Sequence, residues 1–235
     1  MKNYLLNFGA VTLVAGLLLS SCTKDNSTGD GKLSYKVKPS NFTASIGPTA
    51  SGSGLIIAIN SNSSLTWTSG NINVNEIDFE AESKNAEIEY ELKQAFNIDL
   101  FDLSPVLGSI TLPDATYEEV ELKIVLKKSS TSNIPLTLKG LYTDGSGTKI
   151  PVEFYFNEDF EAEVEAENLV VSGTNDYIGL INMQMNKFLT NVVSADLSGA
   201  TQTNGVIIIS STSNMELYAK LKTNLNAFAD CDFED

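Results

Sequence analysis

Apolar and polar positions alternate along much of this chain, and a period of two predicts strands. Leu33, Tyr35 and Val37 alternate with Ser34, Lys36 and Lys38. Leu65 and Trp67 point one way, Thr66 and Thr68 the other. Ile72 and Val74 are followed by Ile77, Phe79 and Ala81, so the apolar parity switches at Asn75-Glu76. A one-residue slip turns a strand inside out, so the switch predicts a β-bulge there. After a turn at Ser83-Lys84-Asn85, Ile88, Tyr90 and Leu92 alternate with Glu87, Glu89 and Glu91. Val120, Leu122, Ile124 and Leu126 alternate with Glu119, Glu121, Lys123 and Lys127. Residues 135–156 read as a hairpin around Asp144-Gly145-Ser146-Gly147, which supplies the glycines such turns need. Leu55-Ile56-Ile57-Ala58-Ile59 and Val206-Ile207-Ile208-Ile209 are short continuous apolar runs, the pattern of strands buried on both faces.

The C-terminal third changes period. Ile181, Met185, Phe188, Leu189 and Val192 fall at helical spacing, and so do Leu217, Leu221, Leu225 and Phe228. Ser213-Asn214-Met215-Glu216 fits a capping box at the start of the second run. From about residue 176, two helices are therefore expected, as covers for an otherwise open sheet face or edge. Short strands with turns at this spacing predict a sandwich or a barrel.

The first residues follow another logic. Lys2 gives a basic start, and residues 8–19 form an apolar run of 12. A membrane-spanning helix needs about 20 residues, so the run reads as the core of a signal peptide. It ends in Leu19-Ser20-Ser21-Cys22, which resembles the lipobox of bacterial lipoproteins. That resemblance implies export, cleavage before Cys22, a diacylglyceryl group on the Cys22 thiol, and an acyl chain such as palmitate on its new amine. Each buried CH₂ contributes about 0.8 kcal/mol and one chain binds only marginally, so several chains on one residue make attachment long-lived. The chain then divides into a signal peptide (1–21), a lipidated tether (22–32) and one β-rich domain (33–235). Residues 23–32 (TKDNSTGDGK) are polar, small and Gly-containing, as a flexible tether requires. Asp25, Ser27 and Asp30 hint at a calcium loop but lack the Gly and closing Glu of an EF-hand, so no metal site is expected. Thr23, rather than Asp, follows Cys22; by the sorting rule of many diderm bacteria that implies the outer membrane, on its periplasmic or surface side.

Composition narrows the chemistry. Removing Lys2 from the 15 basic residues leaves 14 against 30 acids, a mature net charge of −16. Such a field repels nucleic acid and anionic lipid and keeps the domain soluble above the membrane. Histidine is absent, and every basic residue is Lys. Missing with them are the side chain best suited to proton transfer near neutral pH and the planar fork for bidentate anion recognition. Zinc sites lean on His and Cys, and only Cys22 and Cys231 exist. With Cys22 lipidated, Cys231 has no partner in the chain, and Asp230, Asp232, Glu234 and Asp235 around it suppress its thiolate. No cofactor is expected.

One further resemblance is carried by quotable residues. Ile98-Asp99-Leu100-Phe101-Asp102-Leu103 precedes Leu112-Pro113-Asp114-Ala115-Thr116-Tyr117-Glu118-Glu119-Val120-Glu121-Leu122, and Leu138-Lys139-Gly140-Leu141-Tyr142 opens the later hairpin. This order resembles the DUF4382-type lipoproteins of Bacteroidetes, over roughly residues 34–169, with Ala115 where the family has Gly. The resemblance implies a sandwich-like domain without an assigned activity. The expected fold is thus mainly β, an antiparallel sandwich of immunoglobulin or transthyretin type, with two C-terminal covering helices.

Candidate constellations are few. Glu161, Glu163, Glu165 and Glu167 alternate with Phe160, Ala162, Val164 and Ala166; they read as the wet face of a strand, where charge discourages sheet-to-sheet pairing, rather than as a row for calcium or a cationic partner. Trp67 reads as a core or half-buried aromatic rather than a sugar platform. Ser61-Asn62-Ser63-Ser64 lacks a His base, and Gly52-Ser53-Gly54 precedes a strand, so it is a turn and not a phosphate loop. Two function classes survive: a non-catalytic envelope lipoprotein that binds a protein or glycan partner, adheres or builds structure, and a carboxylate-only hydrolase such as a glycosidase. The missing chemistry favours the first, so no catalytic residue is assigned.

Overall fold

The computed structural model describes residues 30–47, 63–93, 95–102, 106–172, 175–225 and 229–234. Cys22, the signal and nearly all of the tether, the Leu55–Ile59 run and Phe228 lie outside the described residues. The protein is mainly β, with several sheets and two C-terminal helices, as expected. Its strands, in chain order, are β1 (Asp30–Ser40), β2 (Thr43–Ile46), β3 (Ser63–Val74), β4 (Glu76–Ser83), β5 (Ala86–Leu92), β6 (Phe96–Asp99), β7 (Val106–Pro113), β8 (Ala115–Leu126), β9 (Leu136–Thr143), β10 (Lys149–Phe156), β11 (Phe160–Val171), β12 (Asp176–Gln184), β13 (Gln202–Thr203), β14 (Val206–Ile209) and β15 (Ala229–Glu234). The helices are α1 (Ser194–Ser198) and α2 (Met215–Thr223), and a 3₁₀ turn spans Lys187–Leu189.

Three sheets form. Sheet A runs β15-β12-β1-β7, sheet B runs β13-β14-β10-β9-β3-β2 with β6 also on β3, and sheet C runs β11-β8-β4-β5. Most pairings are antiparallel, but β1 with β12 and β10 with β14 are parallel. Sheets A and C meet through rings such as Tyr35 and Phe79, 5.8 Å apart. The inner face of sheet B is covered by the 3₁₀ turn and α2: Phe188 lies 6.0 Å from Trp67, and Tyr218 stacks 5.8 Å from Phe154. All three sheets reach a small apolar cavity of about 30 Å³, whose walls include Val37 and Ile181 from sheet A, Ile72 and Leu136 from sheet B, and Ile124 and Phe160 from sheet C.

Three local expectations are corrected. The parity switch at Asn75-Glu76 is a change of sheet: β3 belongs to B, β4 to C, and Asn75 is the corner between them. The bulge in β3 lies instead between Trp67 and Ser69, where parity passes from Leu65 and Trp67 to Ile72 and Val74. Of the run expected as the first helix, Ile181 lies on strand β12, which is paired on both edges and buries Leu180 beside it, Phe188 and Leu189 lie in the 3₁₀ turn, and Met185 and Val192 flank that turn. The first helix is therefore the shorter α1, further along. The helix at Leu217 and Leu221 forms as α2, with Leu221 fully buried, and Leu225 lies just beyond its end. Its capping box does not form: Asn214 is the N-cap, left-handed at φ 49°, and makes no side-chain cap bond. Its amide is used elsewhere, donating to Thr201 O and Ile208 O and accepting from Thr201 N.

The expected hairpin forms, and Asp144 holds its turn by accepting from Ser146 N, Ser146 Oγ and Thr148 N. The Leu112–Leu122 motif is the β7–β8 connection. Tyr117 reaches back to donate to the Pro113 carbonyl at 3.0 Å, closing the sharp turn. Gly140 has a packing reason: a Cβ there would stand 2.6 Å from Thr66 O and 3.0 Å from the Trp67 ring.

Candidate functional site: the carboxylate face of sheet C

Period-two alternation puts Phe79, Ala81, Val120, Leu122 and Ile124 on the buried side of sheet C and their acidic neighbours outside. Register then aligns those acids across all four strands. Glu89 faces Glu80, Glu80 faces Glu121, and Glu121 faces Glu165. The next rung repeats this with Glu87, Glu82, Glu119 and Glu167. A third rung carries Glu91, Asp78, Lys123 and Glu163. Neighbouring strands lie about 4.8 Å apart, so like charges directly opposite one another repel.

Lysines relieve one margin of the lattice. Lys123 lies 3.3 Å from Glu121 and 3.8 Å from Glu163. Lys93 pairs with Glu91 and lies 3.6 Å from Glu76, and Lys127 lies 3.9 Å from Glu161. Among the described residues, no lysine makes an ion pair with Glu80. Partial desolvation, then the charges of Glu87, Glu121, Glu89 and Glu119, push its carboxyl above the usual range. A hydrogen bond with Glu91 raises Glu76, while Lys93 holds Glu91 low.

Two triads, Glu76-Asp78-Glu91 and Glu119-Glu121-Glu165, bring carboxylate oxygens within 4.8 Å of one another. Oxygen-only sets are what a calcium ion takes, but in the first triad Lys93 already supplies the positive charge. The sheet surface between β4, β5 and β8 dips into an open trough of about 470 Å³, bordered by Tyr90 and walled mainly by acids.

Sequence reading found the β11 part of this surface. Glu161, Glu163, Glu165 and Glu167 are all exposed on β11, on the wet face of the strand. It missed the cross-strand rungs, although Glu87-Glu89-Glu91 and Glu119-Glu121 carried the same alternation. Trp67 is a core residue, 1 % exposed, far from a sugar platform in character. Cys231 lies on β15, its backbone opposite Ile181. Among the described residues, no helix is long and apolar enough to cross a membrane. Comparison of the chain with protein-family models, with curated proteins and with solved structures finds no match.

Proposed function

We propose that this chain is a non-catalytic lipoprotein of a bacterial envelope, held by lipid on Cys22, most naturally at the outer membrane, and that its β domain is a binding, adhesion or structural module. The observation that carries the reading is where the titratable groups sit. Their main concentration among the described residues is a sheet face whose trough stands open to solvent, not a cleft that would exclude water from a reaction. The absence of His and Arg from the sequence supports it. The acidic field favours neutral or cationic partners over nucleic acid and anionic lipid. The likeness to DUF4382-type lipoproteins belongs to the same proposal; its quoted motif builds the β7–β8 connection that Tyr117 closes.

A broad hydrolase panel on the purified protein, with Cys22→Ala as the unlipidated control, tests the reading. No turnover is expected. The second reading, a carboxylate-only hydrolase, has one observation in its favour: the carboxylates of Glu76, Asp78 and Glu91 lie within 4.8 Å of one another. Turnover abolished by Glu76→Gln would establish that reading instead. Labelling with a fatty-acid analogue tests the anchor: wild type should label and sediment with membranes, and Cys22→Ala should do neither.

A further inference from the structure

The chain crosses between sheets B and C four times among the described residues, at β3–β4, β5–β6, β8–β9 and β10–β11. All four crossings meet at one corner, and amide side chains tie them together. Asn73 donates to Ile134 O and accepts from Asn97 Nδ2. Asn75 accepts from Lys127 N. Asn157 both accepts from Ser129 N and donates to Ser129 O, and Asp159 accepts from Lys128 N. Three of the crossings line a hollow of about 470 Å³, within the size range of small-molecule sites.

What the bracing leaves over faces the hollow. The Asn133 amide, the Ser130 hydroxyl and the Lys128 ammonium are exposed and make no side-chain bond among the described residues, and the half-buried Phe96 ring supplies an apolar wall. Amides and hydroxyls both donate and accept, as a ligand dense in hydroxyl groups does. An aromatic wall suits the C–H face of a pyranose. The lysines are not an anion site, because Glu161 lies 3.9 Å from Lys127 and Asp159 sits on the Lys128 backbone, within a strongly negative field. We propose that this corner binds a neutral saccharide. The inference rests on the non-catalytic binding reading above and names the ligand class of that module.

The test uses full-length protein in a detergent without a sugar headgroup. It is passed over immobilised neutral oligosaccharides of glucose, galactose, mannose and N-acetylglucosamine, with a polyuronate and a peptide mixture alongside. Retention by at least one neutral oligosaccharide is expected. Ser130→Ala with Asn133→Ala should weaken it about tenfold, as loss of two hydrogen bonds implies, with melting temperature unchanged because neither side chain braces the fold. Glu80→Gln, on the other surface, should leave retention unchanged. The proposal falls if no neutral saccharide is retained, if the double variant binds as wild type does, or if only polyuronate or peptide is held. Eluted saccharides are assayed for new reducing ends: cleavage would overturn the non-catalytic reading while sparing the site, whereas absent binding without cleavage would overturn the site alone.

Discussion

The outer face of sheet C and the crossing corner are both polar surfaces over the same apolar core, yet they are built in opposite ways. On sheet C the polarity is charge, and the rungs of Glu89-Glu80-Glu121-Glu165 and Glu87-Glu82-Glu119-Glu167 oppose folding. What holds them in register is the layer beneath, where Phe79, Ala81, Val120 and Leu122 are buried. At the corner amides do most of the joining: Asn73, Asn97 and Asn157 contribute stability by tying separate crossings together, with Asp159 as a carboxylate among the braces. The first surface therefore depends strongly on salt and pH, and the amide joints of the second do not.

The largest effect comes from striking the shared core. Leu122→Asp places an unpaired charge beneath the carboxylate face and should cost about 3–5 kcal/mol in denaturant unfolding. Leu221→Asp should cost a similar amount beneath α2. An unchanged midpoint in either would mean that face is not packed as described. Next is the corner. Asn157→Ala removes two bonds to Ser129 and should destabilise by about 1–3 kcal/mol, equally at low and high salt. A loss that disappears in high salt would show that the corner is held by charge after all. Tyr117→Phe removes one bond, to the Pro113 carbonyl, and should cost about 1 kcal/mol.

How much of this was legible follows from range. Alternation at Leu33-Tyr35-Val37 and at Val120-Leu122-Ile124-Leu126 is local, and those strands stand where the sequence put them. The helical stripe of Leu217 and Leu221 is local too. Strand β12 was misread because its burial comes from β1 and β15, each distant in sequence. The corner at Asn75 was misread because a parity switch marks a change of sheet as well as a bulge. Glu161 to Glu167 announced one acidic strand. The rungs depend on pairing registers among four strands, which no single segment encodes. The crossing corner carried one weak signal, the polar run Lys127-Lys128-Ser129-Ser130-Thr131-Ser132-Asn133 between two strands.

Smaller effects come from titration. Glu80 and Glu76 are raised in the folded state, so folding takes up protons there and stability grows as pH falls through their folded values toward the unfolded value of 4.5. Asp144, Glu153 and Glu158 are lowered, by hydrogen bonds from Ser146, Tyr155 and Lys222 first. Their contribution is present above their unfolded values of 3.8 and 4.5 and is lost as pH falls further. The melting temperature at low salt should therefore peak on the acid side of neutrality and drop below it. A flat profile from pH 7 down to the carboxylate range would contradict the raised pair.

The facing carboxylates are tested most directly by one comparison, the melting temperatures of wild type and Glu80→Gln across salt and pH. Glu80 stands between Glu89 and Glu121, in no ion pair among the described residues. The variant should melt higher than wild type at neutral pH and low salt, and the difference should shrink both in high salt and as pH falls. A variant that melts lower, or a difference that salt does not touch, would show that these carboxylates do not face one another across sheet C.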